Sequence, residues 1–217
     1  MKPISICLAF AAGALCISNS SAGKEIAGLK NKCSVTLEGD SIMWGGFVPG
    51  PRLSEPPAAI LKRMRPAYTV VDNSVNSSTA AQRAKTFPGS PRTTRFVVLQ
   101  HGVNDALLGS DLATPLYEMA EISKREGRIP IITGLSRQIR KIKQIAYYDL
   151  VTQQVAIASN SLFANWRSVE YSPADMADEM HPGQAYANRL MERLVAVLDQ
   201  AAPECVSPEL KEAAPGP

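Results

Sequence analysis

Histidine is almost missing from this chain, with only His101 and His181 in 217 residues. Cysteine is scarce as well, at four, and no two cysteines stand at metal-ligand spacing. Too few imidazoles and thiolates remain to build a zinc site, so no metal is expected. Neither G-x-x-x-x-G-K-[ST] nor G-x-G-x-x-G occurs, which removes the common phosphate- and dinucleotide-binding loops, and no cofactor is expected. An excess of one charge sign is also lacking. Lys and Arg number 23 against 20 Asp and Glu, a formal charge of +3. That balance does not fit a nucleic-acid binder. Past residue 22 no apolar run is long enough to cross a bilayer, so the mature form should carry no integral span. Internal repeats are absent. What is left, 45% hydrophobic and 20% charged, is the composition of an ordinary globular domain large enough for a core.

The first 22 residues read as a leader. Lys2 is their only charge, ISICLAFAAGALCI is an apolar stretch, and Ser20-Ser21-Ala22 is a small-residue cleavage site. A lipoprotein start at Cys16 fits less well, because Gly13-Ala14-Leu15 precedes it. The expected organisation is a signal peptide over 1–22, one domain over 23–201 and a tail rich in Pro, Ala and Glu over 202–217. The expected location is secreted or periplasmic, and the expected state is a monomer.

Between leader and tail, β-branched apolar runs alternate with helical patterns. Strands are expected at Ser34–Glu38, Tyr68–Asn73, Phe96–Gln100, Ile129–Thr133 and Leu162–Trp166. Helices are expected at Pro57–Arg65, Thr114–Glu126, Ile145–Ala158 and Gly183–Ala201, the last with Ala187, Leu190, Leu194, Val197 and Leu198 on one face. Such alternation predicts an α/β fold: a single-domain, three-layer α/β/α sandwich around a parallel five-stranded sheet. Right-handed crossovers favour the flavodoxin-like order 2-1-3-4-5. Ligands then bind beyond the carboxyl ends of the strands, so chemistry belongs in the segments that follow them.

Four such segments carry reactive side chains. Gly39-Asp40-Ser41 follows the first strand, and Asn73-Ser74-Val75-Asn76-Ser77-Ser78-Thr79 the second. His101-Gly102-Val103-Asn104-Asp105 follows the third, and Asp178-Glu179-Met180-His181-Pro182 precedes the last helix. A serine hydroxyl needs a base to become a nucleophile, and histidine is the usual base near neutral pH. His181 stands three residues after Asp178, close enough for the carboxylate to fix the imidazole tautomer; Asp175 is also near. His101 reads as a residue lining the crevice. The G-x-S-x-G elbow is absent, since Met43 stands two residues after Ser41, which argues against the α/β-hydrolase fold. Trp44 and Trp166 read as packed core.

Taken together, in this order, the four segments resemble those of the SGNH (GDSL) hydrolases, esterases and lipases, over about Ser34 to Ala201. The resemblance implies that Ser41 is the nucleophile, His181 the base and Asp178 the acid that orients it. It implies an oxyanion hole made by the Ser41 N–H, the Ser77 N–H and the Asn104 amide. Gly45 and Gly102 match glycines of the pattern, and Asp40 and Asp105 would hold turn amides and helix starts. Ser77 stands where the family carries a glycine. The implied activity is hydrolysis of a small-molecule or carbohydrate ester through an acyl-enzyme, with a lean toward short acyl groups because no lid-like apolar insertion follows Ser41. The alternatives are a lysophospholipase or thioesterase acting on longer chains, and a ligand-binding protein with a dead site.

Two further expectations concern charge and redox state. Arg137, Arg140, Lys141 and Lys143 follow the fourth strand and could attract an anionic substrate, or form a solvated basic loop. Cys7 and Cys16 leave with the leader, so Cys33 and Cys205 remain in an oxidising compartment. Cys33 precedes the first strand and Cys205 follows a helix that returns to the same edge of the sheet, so a disulfide between them is expected.

Overall fold

The structure, a computed structural model, describes residues 32–46 and 50–206. The expected leader and residues 207–217 lie outside the described residues. Five strands form one parallel sheet in the order β2-β1-β3-β4-β5: β1 Ser34–Gly39, β2 Thr69–Asp72, β3 Phe96–Gln100, β4 Ile129–Thr133 and β5 Leu162–Ala164. The helices are α1 Ser41–Trp44, α2 Pro57–Met64, α3 Ala80–Thr86, α4 Val103–Leu108, α5 Ala113–Arg125, α6 Ile145–Ala158 and α7 Gln184–Ala201. This is the expected three-layer α/β/α architecture.

The order follows from burial and handedness. In β1 and β3 every residue is buried, whereas the edge strand β2 is largely exposed. A strand covered on both faces reads as a continuous apolar run, as FVVLQ does; in SVTLEG the buried Ser34, Thr36 and Glu38 are instead met by the Arg95 amide, Thr94 and Arg83. The crossover from β1 to β2 runs opposite to the three that follow. Right-handedness therefore puts α2 on one face and α3, α5 and α6 on the other. The packing agrees: α2 packs on α7, and α3, α5 and α6 form a row. α7 buries Tyr186, Ala187, Leu190, Met191, Leu194, Val195 and Leu198, with Val197 half-buried at the rim of that face.

Three local signals were weaker than the structure. The short helices α3 and α4 lack a long apolar period; α3 is fixed by a capping box between Thr79 and Gln82. β5 stops at Ala164 because the Asn165 side chain accepts from the Ser168 amide and turns the chain into a 3₁₀ turn, which takes Trp166 out of the strand. The domain also runs past residue 201. Ala202 and Cys205 are buried, and Cys205 is bonded to Cys33 with Cα atoms 5.5 Å apart, so residues 202–206 belong to the packed unit rather than to a loose tail. The two cysteines meet because α7 must run from the carboxyl edge of the sheet back to the amino edge.

Candidate functional site

The Ser41 segment is built by the end of β1. Gly39 leaves no room for a side chain: a Cβ there would lie 2.4 Å from that of Met43 and 2.6 Å from the Gln100 Oε1. Asp40 then caps α1, its Oδ1 accepting from the Ile42 amide at 2.9 Å while its own N–H donates to the Gln100 Oε1 at 3.1 Å. The one-turn helix ends at Gly45, whose left-handed φ of 86° admits glycine readily. Ser41, 7% exposed, is thereby held at the first helical position.

His181 reaches it from the far side of the sequence. The Ser41 Oγ lies 3.0 Å from the His181 Nε2, and the His181 Nδ1 lies 2.8 Å from the Asp178 Oδ2. A carboxylate only accepts, so Nδ1 carries the proton and Nε2 presents its lone pair to the serine hydroxyl. Asp178 is fixed in turn by its other oxygen, which accepts from the Met180 and His181 amides at 2.6 and 2.7 Å. Partial burial pushes the Asp178 carboxyl up, but those two amides and the imidazole together outweigh it and hold the pKa below its ordinary value. Asp175 has other duties: its Oδ2 accepts from Arg189 at 2.6 Å and from the Ser172 amide at 3.1 Å.

On the other side of Ser41 the ends of β1, β2 and β3 are laced together. The Gly39 carbonyl accepts from the Val75 amide at 2.8 Å and from the Ser78 hydroxyl at 3.3 Å. The Ser78 carbonyl accepts one hydrogen of the Asn104 amide at 3.1 Å. Ser77 takes φ 60°, the left-handed conformation for which a glycine is the usual choice. Gly102 takes φ 132°, and a Cβ there would press on Leu135 at 2.7 Å. Asp105 is buried and accepts from the Ala80 amide with both oxygens, at 3.0 and 3.3 Å.

His101 lies within this lacing. It is 1% exposed, and its Nε2 is 3.3 Å from the Ser78 Oγ. With the Ser78 proton given to the Gly39 carbonyl, Nε2–H is the donor to Ser78 and Nδ1 is left as the bare nitrogen. Burial, and secondarily the positive charge of Arg83, push the His101 pKa down to about 3, so the ring is neutral in use. Burial pushes Asp40 up to about 7 and Asp105 up to about 6, against the pull of the amides they hold.

The basic stretch after β4 comes against the His181 segment: the Arg140 amide donates to the Glu179 carbonyl at 2.8 Å. Arg137, Arg140 and Lys141 line a cavity of about 370 Å³ with Arg167 and Tyr171; Lys143 does not line it. Of the two tryptophans, Trp166 is core at 1% exposed. Trp44 is not: it is half-buried, with the Arg52 guanidinium 4.5 Å over its ring. Sequence reasoning passed over Gln100, Ser78 and Arg167. Gln100 had a readable signal, a lone amide ending an apolar central strand. Ser78 and Arg167 had none, since their partners are distant in sequence. Among the described residues no group of His, Cys, Asp and Glu could hold a metal ion.

No protein-family model matches the chain, and no curated protein matches it. Solved structures do. The crystal structure of TesA is 24% identical with a TM-score of 0.65, covering 77% of this chain and 98% of that one. The psychrotrophic esterase EstA from Pseudoalteromonas sp., inhibited by monoethylphosphonate, is 13% identical with a TM-score of 0.66, over 78% and 98% of the two chains. Est24, a carbohydrate acetylesterase from Sinorhizobium meliloti, is 15% identical with a TM-score of 0.65, over 79% and 99%. At these identities the likeness is one of architecture, and this chain has the flavodoxin-like α/β/α fold found in the G-D-S-L lipolytic proteins, esterases and acylhydrolases.

Proposed function

We propose that the protein is an exported serine ester hydrolase of SGNH type that removes short acyl groups, such as O-acetyl groups on carbohydrate. One observation carries the reading: the hydrogen-bonded line Ser41 Oγ, His181 Nε2, His181 Nδ1, Asp178 Oδ2, at 3.0 and 2.8 Å. Ser41 attacks the ester carbonyl while His181 takes its proton, and the ionised Asp178 stabilises the imidazolium. The tetrahedral oxyanion is held by the Ser41 and Ser77 amides and by the second hydrogen of the Asn104 amide, the first being given to Ser78. His181 then protonates the departing alcohol. Water, activated by the same nitrogen, clears the acyl-enzyme.

Ser77 in place of a glycine is no ground for a dead site, because it keeps the left-handed φ of 60°. The Cys33–Cys205 disulfide fits export to an oxidising compartment. The test is a p-nitrophenyl ester series of increasing acyl length, with wild type and Ser41→Ala. Wild type should favour the shorter esters, and the variant should lose about 10³-fold or more in kcat. Equal rates for the two proteins would overturn the assignment. A preference for long chains would keep the esterase and replace its substrate. No turnover of any ester, with no fluorophosphonate labelling of Ser41, would make the crevice a binding site only.

A further inference from the structure

The cavity beside the His181 segment is unusual for its charge. Arg137, Arg140, Lys141 and Arg167 line it, and among the described residues none of the four takes part in an ion pair, although eight other arginine or lysine pairs form. Two carboxylates are near. Asp149 feels Arg167 and Arg137, but its Oδ1 accepts from the Leu135 amide at 2.8 Å. Glu179 is exposed and contributes its carbonyl to the loop contact. Four cations gathered without partners repel one another, and a bound anion removes that cost.

The cations are also partly pre-set. The Arg137 amide donates to the Tyr186 hydroxyl at 2.8 Å, and its Nε to the Arg167 carbonyl at 3.2 Å. The Arg167 Nη1 lies 3.5 Å from the Ser136 carbonyl. Two guanidinium stems are thus pinned to the wall while several N–H groups remain for a ligand; a planar fork of this kind matches a carboxylate or a phosphate. Tyr171, packed edge-on against Tyr186 with ring centroids 5.5 Å apart, supplies an apolar side. About 370 Å³ is room for a group the size of one sugar ring.

Position decides which part of an ester this cavity would meet. The sheet order puts Ser77, after β2, and the basic loop, after β4, on opposite sides of Ser41, after β1. The oxyanion donors flank one side. The loop touches the other through the Arg140 amide on Glu179, and the Arg140 Nη1 lies 3.8 Å from the Met180 sulfur, next to His181. A leaving alcohol must come within hydrogen-bond reach of the His181 Nε2 to be protonated, so its remainder extends over the histidine side.

Resting on the ester-hydrolase reading above, we propose that this cavity is the subsite for the alcohol part of the substrate, and that it selects an alcohol bearing an anionic oxygen group, a carboxylate or a phosphate. The test uses aryl acetates alike except for charge on the alcohol side: 4-acetoxybenzoate, 4-acetoxyphenyl phosphate and the neutral 4-acetoxybenzamide. For Arg140→Gln/Lys141→Gln, both positions exposed, the ratio of kcat/KM on a charged ester to that on the neutral one should fall about tenfold, through KM. In wild type that ratio should shrink as NaCl rises to about 0.5 M. A fall with only the carboxylate or only the phosphate identifies which anion the cavity takes. A ratio within about twofold of wild type for both charged esters overturns the proposal. Calorimetry on Ser41→Ala keeps this separate from catalysis. There 4-hydroxybenzoate should bind more tightly than 4-hydroxybenzamide, and lose the advantage when Arg140 and Lys141 are also replaced. Failure of the esterase reading would instead appear as no turnover of any ester by wild type, with the binding preference intact. Equal binding of the two phenols would overturn the anionic subsite whatever the enzyme hydrolyses.

Discussion

The two halves of the site are held in place by different means. The Ser41 half is part of the core: Ser41 is 7% exposed, Asp40 and Asp105 are fully buried, and three strand ends are bonded to one another around the Gly39 carbonyl. The His181 half is a surface turn. The side chains of Asp178 and His181 are 34% and 15% exposed. They are positioned by bonds within the segment itself: Asp178 on the Met180 and His181 amides, Ala177 N–H to the His181 carbonyl at 2.9 Å, and Gly183 N–H to the Asp175 carbonyl at 2.8 Å. A serine fixed by the core depends on the whole fold. An imidazole fixed by a short turn depends on a handful of residues. Ser41 and His181 themselves aside, substitutions of the groups that hold the first half should therefore register in stability, and of those that hold the second in rate.

The largest effect is expected on the turn side. Asp178→Asn keeps an oxygen for the Met180 and His181 amides, so the turn should persist and the melting temperature should barely move. The new amide, however, donates where the carboxylate accepted. The imidazole must then accept at Nδ1 and place its proton on Nε2, facing Ser41, where it cannot act as a base. A loss on the order of 10³–10⁴ in kcat is expected from steady-state kinetics, with little change in KM. A loss of stability matching the loss of rate would erase the contrast between the two halves.

On the core side the expected effect is on stability, and it depends on pH. Asp40 holds its proton to about pH 7 in the folded chain, against an ordinary value of 3.8, because it is buried. Between those values the folded state keeps a proton that the unfolded state has released, so this group lowers stability as pH rises through the window. His101 acts oppositely. Its folded value of about 3 lies below the ordinary 6.5, so its contribution is complete above pH 6.5 and is lost as pH falls toward 3. Asp40→Asn removes the first titration and leaves the second. The variant can still cap α1, and it should melt above wild type at about pH 8 by at least ~1 kcal/mol, or ~3 °C, with the gap closing toward about pH 4. Thermal melts across that range check it; a gap that widens in acid would reverse the sign.

The smallest effect tests whether the Ser77 turn carries strain. Ser77 sits at φ 60° with a side chain that disfavours it. Ser77→Gly should relieve about 1 kcal/mol of that cost, partly offset by the greater freedom of the unfolded chain. Urea denaturation should show a small gain, and kcat should change less than twofold. A β-branched residue there should be worse than serine on both counts.

Much of the fold was legible in the residues. β3, β4 and α6 fall where their apolar runs begin and end, because each is an apolar-rich stretch bounded by polar or turn-forming residues. The strand order followed from handedness, and the Cys33–Cys205 bond followed from that order and from the return of α7. The short helices α3 and α4, the early end of β5 and the packed residues past 201 were less legible, since caps and turn bonds a few residues long decide them. At the site, the GDS tripeptide and the Asp-x-x-His spacing named Ser41, Asp178 and His181, because each is a local pattern with a chemical reason. By itself the sequence determined which residue types were present and which were missing, hence a parallel α/β sheet with a serine, a histidine and an acid at its carboxyl edge. Only the tertiary structure decided that Asp175 turns to Arg189 instead, that His101 is buried and neutral under Ser78, and that Arg167 joins the basic loop around a cavity. Each of those rests on contacts between segments far apart in sequence or on the direction of a side chain, and chain-local patterns carry no information about either.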